Sequence, residues 1–144
     1  MAKIRKKMVV PYTAEQMYAL VADVEHYPEF IGPCVSGQIL RQSNDGLDVD
    51  AQLDFRKGKF SQSFATRNTH TPNVKIEMNY LKGPFKHLRG SWTFESDEVG
   101  CLVGIDMDFE FNNRMLQMMF SGAFQQLMAD LLSAFSQRAK ELYG

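Results

Sequence analysis

The side chains able to do chemistry are few in this sequence and they are scattered. Of its three histidines, His26 falls in an aromatic segment, His70 at a turn and His87 on the polar phase of a strand. None stands at metal-ligand spacing from a cysteine or a carboxylate. The two cysteines, Cys34 and Cys101, are too few for a disulfide framework and read as reduced thiols, small buried hydrophobes of a cytoplasmic protein. There is no glycine-rich phosphate loop and no nucleophile elbow. The expectation is therefore a protein that binds, without catalysis and without a metal.

Charge is patterned more than it is abundant. Asp106, Asp108 and Glu110 recur at every second residue, as on the solvated face of a strand. Lys3, Arg5 and Lys7 do the same near the start. That basic row could be a nucleic-acid arm. If the first and last strands pair, it instead lies beside the acidic row, each cross-strand pair contributing about 0.2–1 kcal/mol and cancelling the far field. Pairing is the favoured expectation. Arg56, Lys57, Lys59, Lys82, Lys86 and Arg89 cluster near turns or strand ends and remain available as a local basic rim. A net charge of −1 gives no global attraction to nucleic acid or anionic lipid, so DNA is not an expected partner.

These residues sit in a chain whose period changes twice. Lys3 to Val10 alternates as a strand and Pro11 stops it. Thr13-Ala14-Glu15-Gln16 matches a capping box, and Met17, Leu20, Val21 and Val24 follow at helical spacing. The segment from Glu25 to Cys34 is a short aromatic turn or one-turn helix, constrained by Pro28 and Pro33. From Val35 to Phe111 the period is two, interrupted at Ser43-Asn44-Asp45-Gly46, Lys57-Gly58, Thr71-Pro72-Asn73, Lys82-Gly83-Pro84 and around Asp97 to Gly100. Within it, the strand from Phe60 is expected to end near Asn68.

After Asn112-Asn113 one long helix runs to about Tyr143, on the order of 40 Å at 1.5 Å per residue. Leu116, Met119, Phe120, Ala123, Phe124, Leu127, Met128, Leu131, Leu132, Phe135, Ala139 and Leu142 give it an apolar stripe wider than a surface helix needs. A sheet with one wet face needs a cover on the other, and this helix is the element long enough to supply it. The class is α+β: about seven antiparallel strands curved around a long C-terminal helix, with two short helices after the first strand. With 144 residues and no linker or repeat, residues 1–144 form one domain. No run approaches the ~20 apolar residues of a membrane span, and Met8 to Val10 is far short of a signal region after the basic start Met1 to Lys7. A soluble protein with at most transient membrane contact is expected.

Several segments match a family in order and spacing: Val9-Val10-Pro11-Tyr12-Thr13-Ala14-Glu15-Gln16-Met17-Tyr18, Val24-Glu25-His26-Tyr27-Pro28-Glu29-Phe30, Gly83-Pro84-Phe85 with Gly90-Ser91-Trp92, and Asp108-Phe109-Glu110-Phe111. Ala134-Phe135, Arg138-Ala139-Lys140 and Tyr143 fit its terminal helix. Through these the chain resembles the coenzyme Q-binding START-like family, a group that includes ribosome-association toxins and proteins labelled oligoketide cyclase/lipid transport. The resemblance implies the helix-grip fold, START-like and Bet v 1-like. One departure is visible: Ile31-Gly32-Pro33-Cys34 carries its proline one position later than the family's usual turn.

What the resemblance implies about function divides in two. The first reading is a carrier for ubiquinone or another polyprenyl lipid, supporting respiration. Its cavity walls would be Phe60, Phe64, Met78, Trp92, Met107 and Phe109, its lid Phe120, Phe124, Leu127, Met128 and Leu131, and its entrance the turn around Tyr27, Pro28 and Phe30. The chain's nine methionines suit an irregular apolar ligand. The same side chains could equally fill the space as solid core. The second reading is a translation regulator that docks on the large ribosomal subunit through the basic rim and blocks subunit association, with binding that weakens steeply in salt. Cyclase chemistry has only the family label behind it.

Overall fold

Turn chemistry and alternation produce one seven-stranded antiparallel sheet. The computed structural model describes residues 2–144, so Met1 of the basic start lies outside the described residues. The strands are β1 (Ala2–Val10), β2 (Cys34–Gln42), β3 (Asp48–Lys57), β4 (Phe60–Thr71), β5 (Lys75–Lys82), β6 (Phe85–Ser96) and β7 (Cys101–Phe111). Their order across the sheet is β1-β7-β6-β5-β4-β3-β2. Consecutive strands from β2 to β7 are joined by hairpins, and only β1 returns to the far edge. Gly46 takes φ +74° in the first hairpin, a left-handed value that suits glycine at a tight turn.

Pairing of the first and last strands answers the question of the basic row. Lys3 lies opposite Asp108 and Arg5 opposite Asp106 in the β1–β7 ladder. The Arg5 Nε donates to Asp106 Oδ2 at 3.0 Å, and Lys3 Nζ approaches Asp108 at 3.9 Å. Lys7 faces Gly104, which has no side chain to offer it. On the outer face of β3, Asp50 is buried between the guanidinium groups of Arg41 and Arg67, which hold its carboxyl down at about 2.

Between the edge strands the chain crosses the inner face. Helix α1 (Ala14–Ala22) starts at the expected capping box: the Thr13 hydroxyl accepts from the Gln16 amide while the Gln16 side chain accepts from the Thr13 amide. A 3-10 turn (Val24–Glu29) containing Pro28 follows and leads into β2. Helix α2 (Arg114–Tyr143) is capped by the Asn113 side chain, which accepts from the Leu116 amide, and lies along the same inner face.

The buried stripe of α2 is narrower and shorter than the sequence suggests. It comprises Phe124, Leu127, Met128, Leu131, Leu132, Phe135 and Ala139. Met119 is 54% exposed and Leu142 52%, and Ala123 faces solvent too. Periodicity sets the phase of an apolar stripe but not how far the sheet reaches beneath it, and the sheet does not cover the helix ends.

The 3-10 turn is seated on β2 through Gly37. A Cβ placed there would collide with the carbonyl of Val24, whose side chain is part of the core. Gly37→Ala should therefore lower stability by about 1–3 kcal/mol, the range for forcing atoms into a packed site. Urea denaturation should show the midpoint fall with the slope unchanged; an unchanged midpoint would mean that the turn is not held in this seat.

Candidate functional site

Large aromatic side chains gather at two places on α2 and leave a gap between them. Phe60, Phe64, Phe85, Phe109 and Phe111 surround Phe124 with ring centroids 4.7–6.2 Å from it. Phe120 packs on Phe60 at 5.2 Å. Three turns further along α2, Phe135 meets Tyr27 at 5.3 Å, Phe30 at 5.4 Å and Trp92 at 5.3 Å in edge-to-face contacts. This second cluster is latched from outside: Arg138 lies 5.1 Å over the Phe30 ring and donates to Glu29 at 3.0 Å. Tyr27 donates its hydroxyl to the Val21 carbonyl, and burial pushes that phenol far above its ordinary value.

Between the clusters lies a cavity of about 50 Å³. A water needs about 10–15 Å³ of such space, so a few waters would fill it. A six-membered ring enters only if the walls move. Met78, Met107 and Met128 are among those walls, and an unbranched thioether side chain changes rotamer readily.

Of the residues named from sequence, Tyr27, Phe64, Met78, Trp92, Met107, Met128 and Leu131 line this cavity. Phe60, Phe109, Phe120 and Phe124 belong to the first aromatic cluster, Phe30 to the second, and Leu127 to the core beside them. The remaining walls come from Val21, Ala22 and Val24, from Ala51, Leu53 and Phe55 on β3, from Ile76 and Leu88, and from Thr66, Asn68 and His70 on β4.

The β4 residues change the chemistry of the site. The strand does not end near Asn68 but runs to Thr71, which carries His70 out of the expected turn and onto the inner face. Thr66, Asn68 and His70 thus form a buried polar strip in an otherwise apolar wall. The Thr66 hydroxyl donates to Asn68 Oδ1 at 2.7 Å. His70 Nδ1 lies 2.8 Å from the Tyr18 hydroxyl, and the two rings meet edge to face. Burial raises the Tyr18 phenol and lowers the His70 imidazole, Asp48 opposing the latter weakly, so both stay neutral at neutral pH. Continued alternation through 66, 68 and 70 was the available signal for these residues.

No lysine, arginine, aspartate, glutamate or cysteine lines the cavity. Among the described residues no cluster of histidine, cysteine and carboxylate could hold a metal ion. Cys34 is buried, and burial raises its thiol to about 11, away from nucleophilic chemistry. The polar groups that do face the space are hydrogen-bonding and uncharged. The lining therefore matches a neutral, largely apolar molecule with one polar end, which enters only as the walls move apart.

The basic residues lie outside the cavity and are all exposed. Arg56, Lys57 and Lys59 sit at the β3–β4 hairpin and Lys82 at the end of β5, whereas Lys86 approaches Glu110 at 3.6 Å and Arg89 approaches Asp108 at 3.9 Å on the sheet.

A curved sheet closing on a long helix, with an apolar cavity between them, defines a helix-grip protein of the START-like class. The sequence model of the polyketide cyclase/dehydrase and lipid transport family matches residues 10–136, and the chain belongs to that family. It is 42% identical over 145 aligned residues to the ribosome association toxin RatA of Escherichia coli K12, covering 100% of this chain and 90% of that protein. It is 24% identical to the mitochondrial coenzyme Q-binding protein COQ10 of Dictyostelium discoideum, covering 92% of this chain and 66% of that one. The crystal structure of the Zhui aromatase/cyclase from Streptomyces sp. R1128 superposes with a TM-score of 0.85 over 96% of this chain and 93% of that one, at 15% identity, a likeness of fold. No helix among the described residues is long and apolar enough to cross a membrane.

The neutral His70 makes a pH prediction. Its folded value lies below the unfolded 6.5, so the unfolded chain binds more protons in that window. Its contribution to stability is complete above about 6.5 and is lost as pH falls through the folded value. Exposed His26, raised by Asp23 and Glu29, acts in the opposite sense, losing stability as pH rises through its folded value. The comparison with His70→Gln isolates the first effect: melting temperature should decline less on the acid side in the variant. Parallel declines would remove His70 from the account.

Proposed function

We propose that this chain binds, without transforming it, a neutral apolar molecule with a polar head, of the prenylquinone class such as ubiquinone, in the cavity between sheet and α2, and that it supports respiration in doing so. The observation that carries this reading is the uncharged cavity with Thr66, Asn68 and His70 on one wall. A solid core has no use for a polar strip, whose burial is unfavourable unless each group finds a partner. The Thr66 hydroxyl is spent on Asn68 Oδ1, and the carboxamide of Asn68 carries N–H donors of the kind a carbonyl oxygen accepts. The likeness to a protein named for coenzyme Q binding supports the same class of ligand. The absence of any ionised or thiol group from the walls favours holding over turnover.

The chain's single tryptophan, Trp92, lines the cavity and reports on it directly. A short-chain ubiquinone should quench its fluorescence saturably, and organic extraction of the purified protein should release a prenylquinone seen by mass spectrometry. Asn68→Leu removes one hydrogen-bond donor and should weaken the quinone about tenfold while leaving the affinity for an alkane of equal length unchanged. Absence of both saturable quenching and extractable quinone would sink the proposal.

A second reading, ribosome docking, is favoured by the 42% identity to a protein named for ribosome association, which runs through the whole chain. Under it, added protein should raise free subunits at the expense of whole ribosomes in sucrose gradients, less so as salt rises. Replacing Lys57 and Lys59 by glutamine should abolish the effect. Unchanged profiles at low salt would remove this reading.

A further inference from the structure

The first turns of α2 are unusual for a surface helix. From Arg114 to Ala123 no side chain is fully buried, and three methionines stand in solvent: Met115 at 69% exposure, Met118 at 80% and Met119 at 54%. A helix resting on a core normally turns polar residues outward. A contiguous exposed apolar patch on a soluble domain marks a contact surface.

The surroundings of the patch are cationic. Phe60 against Phe120 fixes the β3–β4 hairpin beside this end of α2, and the Asn112 amide donates to the Pro84 carbonyl at 2.8 Å, bringing in the β5–β6 turn. Arg56, Lys57 and Lys59 come with the hairpin, Lys82 with the turn, and Arg114 with the helix start. No aspartate or glutamate occurs from Phe55 to Ile76, from Met78 to Phe94, or from Phe111 to Ala129. None of these five cations has an ion-pair partner among the described residues, whereas Lys3 and Arg5 meet acids across the β1–β7 ladder. In a chain of net charge −1, five cations without an ion-pair partner among the described residues thus lie at the same end of the domain as the exposed methionines, while Lys6 and Lys7 on β1 and Lys140 at the far end of α2 stand apart from them.

We propose that this end of the domain docks on an anionic bilayer surface, with Met115, Met118 and Met119 entering the boundary between headgroups and acyl chains and Arg56, Lys57, Lys59, Lys82 and Arg114 resting among the phosphates. Unbranched apolar side chains ringed by lysine and arginine suit such a boundary. Single-stranded RNA is bound through aromatic platforms, and the patch presents thioethers that neither stack on bases nor donate hydrogen bonds. The docking surface stands on these residues alone. With the ligand reading it adds the place where a carrier would load and unload.

The test is co-sedimentation of the full chain with vesicles of phosphatidylcholine, with and without phosphatidylglycerol. Binding to the anionic vesicles should exceed binding to the neutral ones at least tenfold and fall as salt rises. Lys57→Gln, Lys59→Gln and Lys82→Gln together should weaken it roughly a hundredfold, and Met115→Ser, Met118→Ser and Met119→Ser together about tenfold or more. Melting temperature and the Trp92 response to quinone should stay at wild-type values in both variants, which separates failure of docking from failure of the ligand reading. Equal binding to neutral and anionic vesicles, wild-type binding by the methionine variant, or binding to ribosomal RNA with none to vesicles would each overturn the proposal.

Discussion

Helix α2 is pinned to the sheet by Phe124 and Phe135, and the rest of the molecule is arranged around those two contacts. Neither ring has any exposed surface. They are separated by roughly 16 Å along the helix. At each pin, aromatic rings from the sheet or from the 3-10 turn close the space completely. Between them Met128 and Leu131 face the sheet across the cavity. A stiff helix held at two points over a twisted sheet cannot follow the curvature of that sheet everywhere, so the gap falls where the opposing side chains are small. The cavity is a consequence of how the grip is made.

That geometry explains which parts of the site were legible in the sequence. Period two in β2 to β7, the capping box at Thr13 and the turn at Asn44-Asp45-Gly46 are local signals, and each element formed where its signal lay. The cavity is different in kind. Choosing the bulkiest apolar residues selects Phe60, Phe109, Phe120 and Phe124, which fill space and form the plug. The same choice also finds Phe64 and Trp92 in the cavity wall, but it passes over the short wall residues Ala22, Ala51 and Thr66, and nothing local distinguishes those from ordinary strand or helix positions. The polar strip was within reach, since Phe64, Thr66, Asn68 and His70 keep one phase. A strand assumed to stop at Asn68 concealed it. The family resemblance supplied the fold and the two candidate functions, and the fold agrees with the strand order and the matched family.

Electrostatics divides the surface in a way the total charge hides. Along β1, β7 and β6 opposite charges face one another, Lys3, Arg5, Lys86 and Arg89 against Asp106, Asp108 and Glu110, whereas Lys6 and Lys7 of β1 lie opposite Ile105 and Gly104. Asp50 on β3 likewise pairs with Arg41 of β2 and Arg67 of β4, offsetting one of their two charges. The hairpin and turn lysines have no such partners nearby in sequence. The contrast follows from topology: ladder positions are brought opposite other strands, while tips project beyond them. Cations at the tips have no ion-pair partner among the described residues and are thus available to an outside one.

The cavity also has an energetic cost. Leaving about 50 Å³ unfilled costs about 1 kcal/mol at 24 cal/mol per Å³, and one added methylene or two could remove most of it. Burying Asn68 and His70 on the same wall adds a further cost where a hydrogen-bonding group lacks a partner. Both losses sit on one strand, facing adaptable methionines, in a core elsewhere packed ring against ring. A domain of this size has only several kcal/mol of net stability, so such a concentration of unfavourable terms is a large fraction of it. A neutral molecule with one polar end would reverse both terms at once, filling the gap with its apolar part and meeting the strip with the other.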